Sequence, residues 1–453
     1  MILTLQTFVD GKWLDAGDVE IPDAHLGHNG RSTFSYAPGY VATLDDSEIG
    51  TCIDARAIGA TIPVKYELEK FASWPPPLLD LLPQGHARSV VRKALGKDGT
   101  DGVADDLDLL LRAGGSPIGN IRVKQAAEEE AGRITEAAQL GHHGFTGEQI
   151  ARHDDGFLEM ATDFGAAVSG SSGVQGAWPK VLMTRNSDGL WYPDPLVPDD
   201  QATLHVIIKW AGNSRDESQR ILDAEAPYLE LARLFGLRVG RSLERTGNVL
   251  VIPRFDRVVG NGEVIRFGQE SIVSATGIAA FGHMTTHEVY LDTIKRISSD
   301  PATDVREYVL RDVLNLALGN PDNHGRNTAL LKTCDGRICL SPLFDFTPMR
   351  LSPDGITRST KWGCMRRDGG GTLDIRPDWE RVCEVAADGV PGLSAESLMD
   401  NLHSKAGLLR TLPDEARRLK IPEDVIELAM GRCGEIAADL EALDRKTGDA
   451  PEP

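Results

Sequence analysis

The chain has 453 residues, 41% of them hydrophobic and 26% charged, with 68 acidic against 48 basic side chains and a formal net charge of -20. That length calls for two or three packed units, and the composition is that of a globular protein, neither disordered nor fibrous. The negative balance argues against a protein that coats nucleic acid or anionic membrane by general electrostatics, and six cysteines with no C-x-x-C spacing fit a reducing cytoplasm better than a disulfide framework.

The opening Met1-Ile2-Leu3-Thr4-Leu5 is too short and too soon polar for a signal peptide, and no run approaches the ~18 apolar residues of a membrane span, so a cytoplasmic protein without membrane contact is expected. Alternating runs such as Leu5-Gln6-Thr7-Phe8-Val9 before Asp10-Gly11, and Ser32-Thr33-Phe34-Ser35-Tyr36 before Pro38-Gly39, predict a small antiparallel sheet over the first 50 or so residues. Helical spacing follows the prolines at 75 to 77 as far as residue 113 or so. We read 1–145 as an α+β N-terminal subdomain and 146–270 as a β-rich lobe containing Val181-Leu182-Met183, Val206-Ile207-Ile208 and Val249-Leu250-Val251-Ile252. One helix is predicted inside that lobe, from Ser218 to Phe235, with Leu222, Ala226, Leu229, Ala232 and Leu234 as its apolar side and Gly236 as its stop signal. Residues 271–453 read as a mostly helical lobe broken by the irregular stretch 318 to 350. The fold class is therefore α+β, with a β-rich N-terminal part and a helical C-terminal part.

The strongest local signal is Pro321-Asp322-Asn323-His324-Gly325-Arg326-Asn327, where an aspartate precedes an asparagine by five positions. This is the spacing of a protein-kinase catalytic loop, with Asp322 as the proton acceptor, Asn327 as a magnesium ligand and His324 as a brace. Eighteen positions on, Leu343-Phe344-Asp345-Phe346 puts Asp345 where such enzymes hold the carboxylate that bridges magnesium to phosphates. Upstream, Lys209 ends the apolar run Val206-Ile207-Ile208, as a phosphate-pairing lysine does, and Glu225 on the next helix is its candidate ion-pair partner. Val168-Ser169-Gly170-Ser171-Ser172-Gly173-Val174-Gln175-Gly176 is a small-residue loop whose amides could approach phosphates, although it matches neither G-x-x-x-x-G-K-[ST] nor G-x-G-x-x-G. His142-His143 and the pair His283 and His287 lack further ligands at zinc spacing and read as surface histidines, and the dispersed tryptophans read as packing residues.

Taken in order, these segments resemble the HipA family of bacterial serine/threonine kinases, the toxins of toxin–antitoxin pairs. Val9-Asp10-Gly11-Lys12, Leu81-Leu82-Pro83-Gln84-Gly85 and Ile118-Gly119-Asn120-Ile121 look like its N-terminal subdomain, and Ser172-Gly173-Val174-Gln175 with Pro179-Lys180 like its glycine-rich loop. Ile207-Ile208-Lys209, Asp223-Ala224-Glu225, Arg254-Phe255-Asp256-Arg257, Asp322 to Asn327 and Phe344-Asp345 look like its kinase core. The resemblance implies a two-lobed protein-kinase-like fold and a reaction that uses ATP and Mg2+ on a serine of a cytosolic protein such as an aminoacyl-tRNA synthetase. It also implies a HipB-like helix-turn-helix antitoxin, with DNA contacted only through it. It places Lys209, Arg254, Phe255, Gly173, Val174 and Gln175 at the nucleotide and makes Ser169, Ser171 and Ser172 candidates for autophosphorylation. Three departures stand out: the extra Gly176-Ala177-Trp178 in the loop, Pro253 where a glutamate is common, and Ser271 after Gln269-Glu270. Two other readings stay open, a small-molecule phosphotransferase and a catalytically weak module that binds a HipB-like repressor.

Overall fold

The computed structural model describes residues 1–97, 99, 101–139, 144–164, 178–211, 216–260, 262–364 and 376–443. The chain forms two compact units, each assembled from three separated stretches: Met1–Asn213, Gly240–Gly282 and Ala329–Ile338 make the first, and Ser214–Val239, His283–Thr328 and Cys339–Pro453 the second. The consecutive segments 1–145 and 146–270 thus share one unit, while the helix beginning near residue 216 belongs to the other.

The first unit is β-rich. Strands β1 (Ile2–Val9), β2 (Lys12–Glu20), β3 (Ser32–Tyr36), β4 (Glu69–Phe71) and β5 (Ile121–Val123) form an antiparallel sheet in the order β4-β3-β2-β1-β5. Asp10 and Gly11 join β1 to β2 with φ of 48° and 75°, the left-handed pair that a two-residue type I′ hairpin needs, and Asp-Gly supplies it at low cost. Leu3, Leu5, Val19 and Phe34 turn inward onto Trp74, Leu78 and Leu109, giving this half of the unit its own apolar core. A second antiparallel sheet contains β6 (Lys180–Asn186), β7 (Trp191–Pro193), β8 (Ala202–Trp210), β9 (Glu244–Thr246) and β10 (Val249–Pro253) in the order β7-β6-β8-β10-β9. Its core is separate, with Phe157 and Met160 packed on Val181, Val206, Ile208 and Val249.

Charged groups out of water brace the two halves of this unit. Asp256 accepts from Nε and Nη2 of Arg254 at 2.9 and 2.7 Å, from Nη1 of Arg257 at 2.6 Å and from the Gly119 amide at 2.7 Å. Both arginines also donate to the Pro117 carbonyl, and Arg257 to that of Gly119. Burial alone would raise the Asp256 pKa, but the two guanidiniums outweigh it and hold the carboxyl far below its ordinary range. Glu270 receives the Ala60 amide at 2.9 Å and lies 2.9 Å from Lys332 Nζ, and Ser271 donates its hydroxyl to Asp80 at 2.7 Å. The serine that departs from the family pattern thus ties two strand and helix ends together.

The second unit is mostly helical, with Asp216–Phe235, His287–Ile297, Pro301–Ala317, Trp379–Ala387, Ala395–Arg418, Glu423–Ala429 and Cys433–Glu441. The first of these ends as expected, at Phe235 before Gly236 with φ of 94°. Leu234, expected on its apolar side, is exposed because Phe235 fills the inward position, whereas Glu225 is buried on that side. No helix among the described residues is long and apolar enough to cross a membrane.

Asp256→Ala would leave two guanidiniums buried without their common acceptor. We expect it to destabilise the first unit by about 3–5 kcal/mol, read as a large drop in its thermal midpoint, against a near-neutral change for exposed Asp335→Ala.

Candidate active site

Asp300 caps the helix Pro301–Ala317 by accepting the Thr303 amide, and Pro301 sits at its first position, where no amide partner is needed. The helix stops at Gly319, whose φ is 66° and where a Cβ would meet the Ala429 carbonyl oxygen at 2.6 Å. The chain then enters a loop stiffened by its own amide side chains. Asn320 donates to Asn315 Oδ1 at 2.9 Å and accepts the Asp322 amide at 3.2 Å. Asn323 grips both backbone groups of one residue, donating to the Thr360 carbonyl at 2.7 Å and accepting the Thr360 amide at 3.3 Å. Asn327 donates from Nδ2 to the Asp322 carbonyl at 2.9 Å.

That last bond turns the Asn327 amide so that Oδ1 is buried with no hydrogen-bond partner. His324 accepts the Arg326 amide at Nδ1, 3.2 Å away, so its ring proton is on Nε2, 3.4 Å from Asp322 Oδ1. The contact suits a brace for the carboxylate. Two positions before Asp345 the Leu343 amide is held by the Arg238 carbonyl at 2.7 Å, and directly after it Phe346 packs against the Tyr228 ring at 5.6 Å. Asp345 itself has φ of 52°, a left-handed conformation uncommon for a residue with a Cβ.

Asp322, Asn327 and Asp345 all line one recess of the second unit, with Asn315, Asn320, Asp312 and Tyr308 in its walls. The space is about 30 Å³, enough for about two water-sized groups, so by itself it takes an ion and its water. Among the described residues no three His, Cys, Asp or Glu side chains are grouped to hold a metal. The donors here are aspartate oxygens and an orphaned amide oxygen, the hard ligands that suit Mg2+, which keeps several waters and needs few protein groups.

The other expected residues lie as follows. Lys209 is buried on β8, a central strand, 5.8 Å from the Trp178 ring. Glu225 is buried on the helix Asp216–Phe235 of the second unit. Arg254, expected at the nucleotide, is engaged at every guanidinium nitrogen by Asp256, Asp194 and the Pro117 carbonyl, bonds that brace the unit from within; Phe255 beside it is half-buried. Gly173, Val174, Gln175, Ser169, Ser171 and Ser172 lie outside the described residues.

The sequence also misplaced His287, which is not a surface residue. It is buried, with Nδ1 2.9 Å from the Tyr308 hydroxyl, Nε2 3.3 Å from Asp312 Oδ1 and its ring stacked 4.6 Å from that of Trp362. Asp312 went unnoticed, although an Arg-Asp pair between Val309-Leu310 and Val313-Leu314 marks charge inside an apolar helix run.

The HipA-like C-terminal domain profile matches residues 172–407, just over half of the chain and inclusive of Lys209, Glu225, Asp322, Asn327 and Asp345. The chain belongs to the HipA-like kinase family. Y4mE of Sinorhizobium fredii, which bears the name of a candidate kinase, is 30% identical over 295 residues, 60% of this chain, and the match spans 64% of that relative's length. A chain of the Shewanella oneidensis MR-1 toxin–antitoxin complex of HipA, HipB and operator DNA has the same fold, with a TM-score of 0.61 at 17% identity, covering 99% of this chain and 100% of that one. The HipA-like chain is thus kinase-like in family and in fold.

The strained backbone at Asp345 separates side-chain function from stability. Asparagine tolerates left-handed backbone better than alanine, so Asp345→Ala should unfold at a lower temperature than Asp345→Asn, by the equivalent of about 1 kcal/mol. Equal midpoints in scanning calorimetry would count against the strain.

Proposed function

We propose that this HipA-like protein is a serine/threonine-protein kinase that transfers the γ-phosphate of ATP, with Mg2+, to a hydroxyl of a cytosolic protein, and acts as the toxin of a toxin–antitoxin pair. The observation that carries the reading is the common recess of Asp322, Asn327 and Asp345, with Asn327 Oδ1 buried and unmatched inside it. Asp322 accepts the proton of the attacking hydroxyl, and His324 steadies its carboxylate. Asn327 and Asp345 hold Mg2+, which when bound neutralises charge on the phosphates. Lys209 contacts phosphate and Glu225 supports it, roles that rest on their places in the kinase order. Since the phosphoryl group makes little covalent demand on the protein, positioning and electrostatics supply most of the rate.

Autophosphorylation at Ser169, Ser171 or Ser172 and a HipB-like partner that links the protein to DNA belong to the same proposal; the partner is suggested by the company that the Shewanella chain keeps. An aminoacyl-tRNA synthetase is the substrate class that the family resemblance offers.

The test is incubation with γ-labelled ATP and Mg2+, alone and with a cytosolic extract, followed by peptide mapping. Label is expected on a loop serine or on an extract protein, and Asp322→Ala should lower its rate by about 10²–10⁴-fold, the usual contribution of a general base. Asp345→Asn should lose transfer while keeping its thermal midpoint. A wild type that binds ATP and transfers nothing with any divalent metal would sink the proposal and favour a binding module.

A further inference from the structure

Beneath the catalytic loop the second unit holds a buried polar assembly for which the proposed chemistry has no direct use. Its centre is Asp312, 2% exposed, on the face of the helix Pro301–Ala317 that also carries Tyr308 and Asn315. Its two carboxylate oxygens reach one distant stretch of chain. Arg358 pairs with Oδ1, and the Trp362 indole N–H donates to Oδ2 at 2.8 Å. Between these anchors Thr360-Lys361 runs parallel to Thr285-Thr286, and just beyond them the Glu288 carboxylate accepts the Gly363 and Cys364 amides at 2.8 and 3.2 Å. The stretch 358–364 is therefore strapped down along its length.

The middle of this strap is what the catalytic loop holds. Asn323, the neighbour of Asp322, makes both of its amide hydrogen bonds to the backbone N–H and C=O of Thr360, as a strand would. His287 completes the base of the assembly. Tyr308 is buried and its pKa is driven well above the ordinary range, chiefly by burial, so it keeps its proton and can donate it to His287 Nδ1. The other ring nitrogen, Nε2, lies 3.3 Å from Asp312 Oδ1 and 3.3 Å from Arg358 Nη2, so the ring sits against both partners of the ion pair. Asp312 is held ionised because Arg358 and His287 outweigh the effect of burial.

We propose that Asp312 is a positioning residue: through Arg358 and Trp362 it fastens the segment 358–364, and that segment, through Thr360 and Asn323, sets the pose of Asp322. The inference rests on the kinase reading for its effect on rate, but not for its effect on the segment. It makes the chain downstream of Asp345 part of the catalytic loop's support. A carboxylate is required at 312 because Arg358 and the buried Trp362 N–H both take it as their acceptor.

The experiment uses the full chain and reads hydrogen exchange of peptides covering 358–364 by mass spectrometry, beside kcat and the KM for ATP. Asp312→Asn keeps the shape and removes the charge. It is expected to speed exchange in this segment about tenfold or more and to lower kcat about tenfold, with the KM for ATP within twofold of wild type. Asn323→Ala should lower kcat in the same way, and the double variant should be no worse than the more damaged single one, since both act through one strap. Trp362→Phe removes one hydrogen bond and keeps an aromatic ring against His287; it serves if Asp312→Asn unfolds, with the same pattern at about threefold. Unchanged exchange in 358–364 overturns the proposal, as does faster exchange with unaltered kcat, and so does additive loss in the double variant. A wild type without transferase activity refutes the kinase reading instead, and the exchange data alone then decide whether Asp312 holds the segment.

Discussion

A carboxylate removed from water must have its charge met on the spot, and much of this protein's order follows from that constraint. Asp256 is met by Arg254 and Arg257, Asp312 by Arg358, and the neighbours Asp304 and Glu307 by Arg238, with Arg311 also on Glu307. Several of these matches join parts of the chain far apart in sequence: Asp304 and Glu307 meet Arg238 across more than 60 residues, and Asp312 meets Arg358 across 46. Such pairs add little net stability over apolar packing, but a register in which one partner is missing carries a heavy penalty. They select one arrangement of segments among the many that apolar packing alone would tolerate.

The candidate active site is the exception built on this rule. Around it each amide of Asn320 and Asn323 is satisfied, which leaves the catalytic loop stiff, while Asn327 keeps one acceptor unmatched and Asp345 keeps an unfavourable backbone angle. Unsatisfied acceptors and strained dihedrals persist only where the surroundings over-determine them. Here the surroundings are the helix Pro301–Ala317 below and the strap 358–364 beside the loop.

What could be read in the sequence was whatever is encoded locally. The Asp10-Gly11 hairpin, the helix running to Phe235 before Gly236 and the Asp322-to-Asn327 spacing each depend on residues within a few positions of one another. The misreadings share the opposite property. Arg254 came to the nucleotide by resemblance alone; besides Asp256 two positions on, the groups that engage it, Asp194 and the Pro117 carbonyl, are 60 and 137 residues away. His287 was placed on the surface because Trp362 and Asp312, which bury it, are invisible from its neighbours. Glu225 would have been taken for a solvated helix residue on periodicity alone, and it is buried. The segmentation into three consecutive parts met the same limit, since composition changes along the chain while packing brings its separated stretches together.

That interleaving has a consequence for how the protein is made. The chain passes from one unit to the other five times, and the strand Ala329–Lys332, which pairs with Gly268–Ser271, belongs to the first unit. A ribosome delivers residues in order, so the β-rich unit cannot close its last sheet until more than 330 residues have emerged, by which time three helices of the other unit, Asp216–Phe235, His287–Ile297 and Pro301–Ala317, are already out. The β-rich unit has its last residue by position 338, while the helical unit still awaits its helices from Trp379 onward, so the first can close before the second, and a ribosome stalled before residue 329 would hold a nascent chain with the edge of Gly268–Ser271 still unpaired.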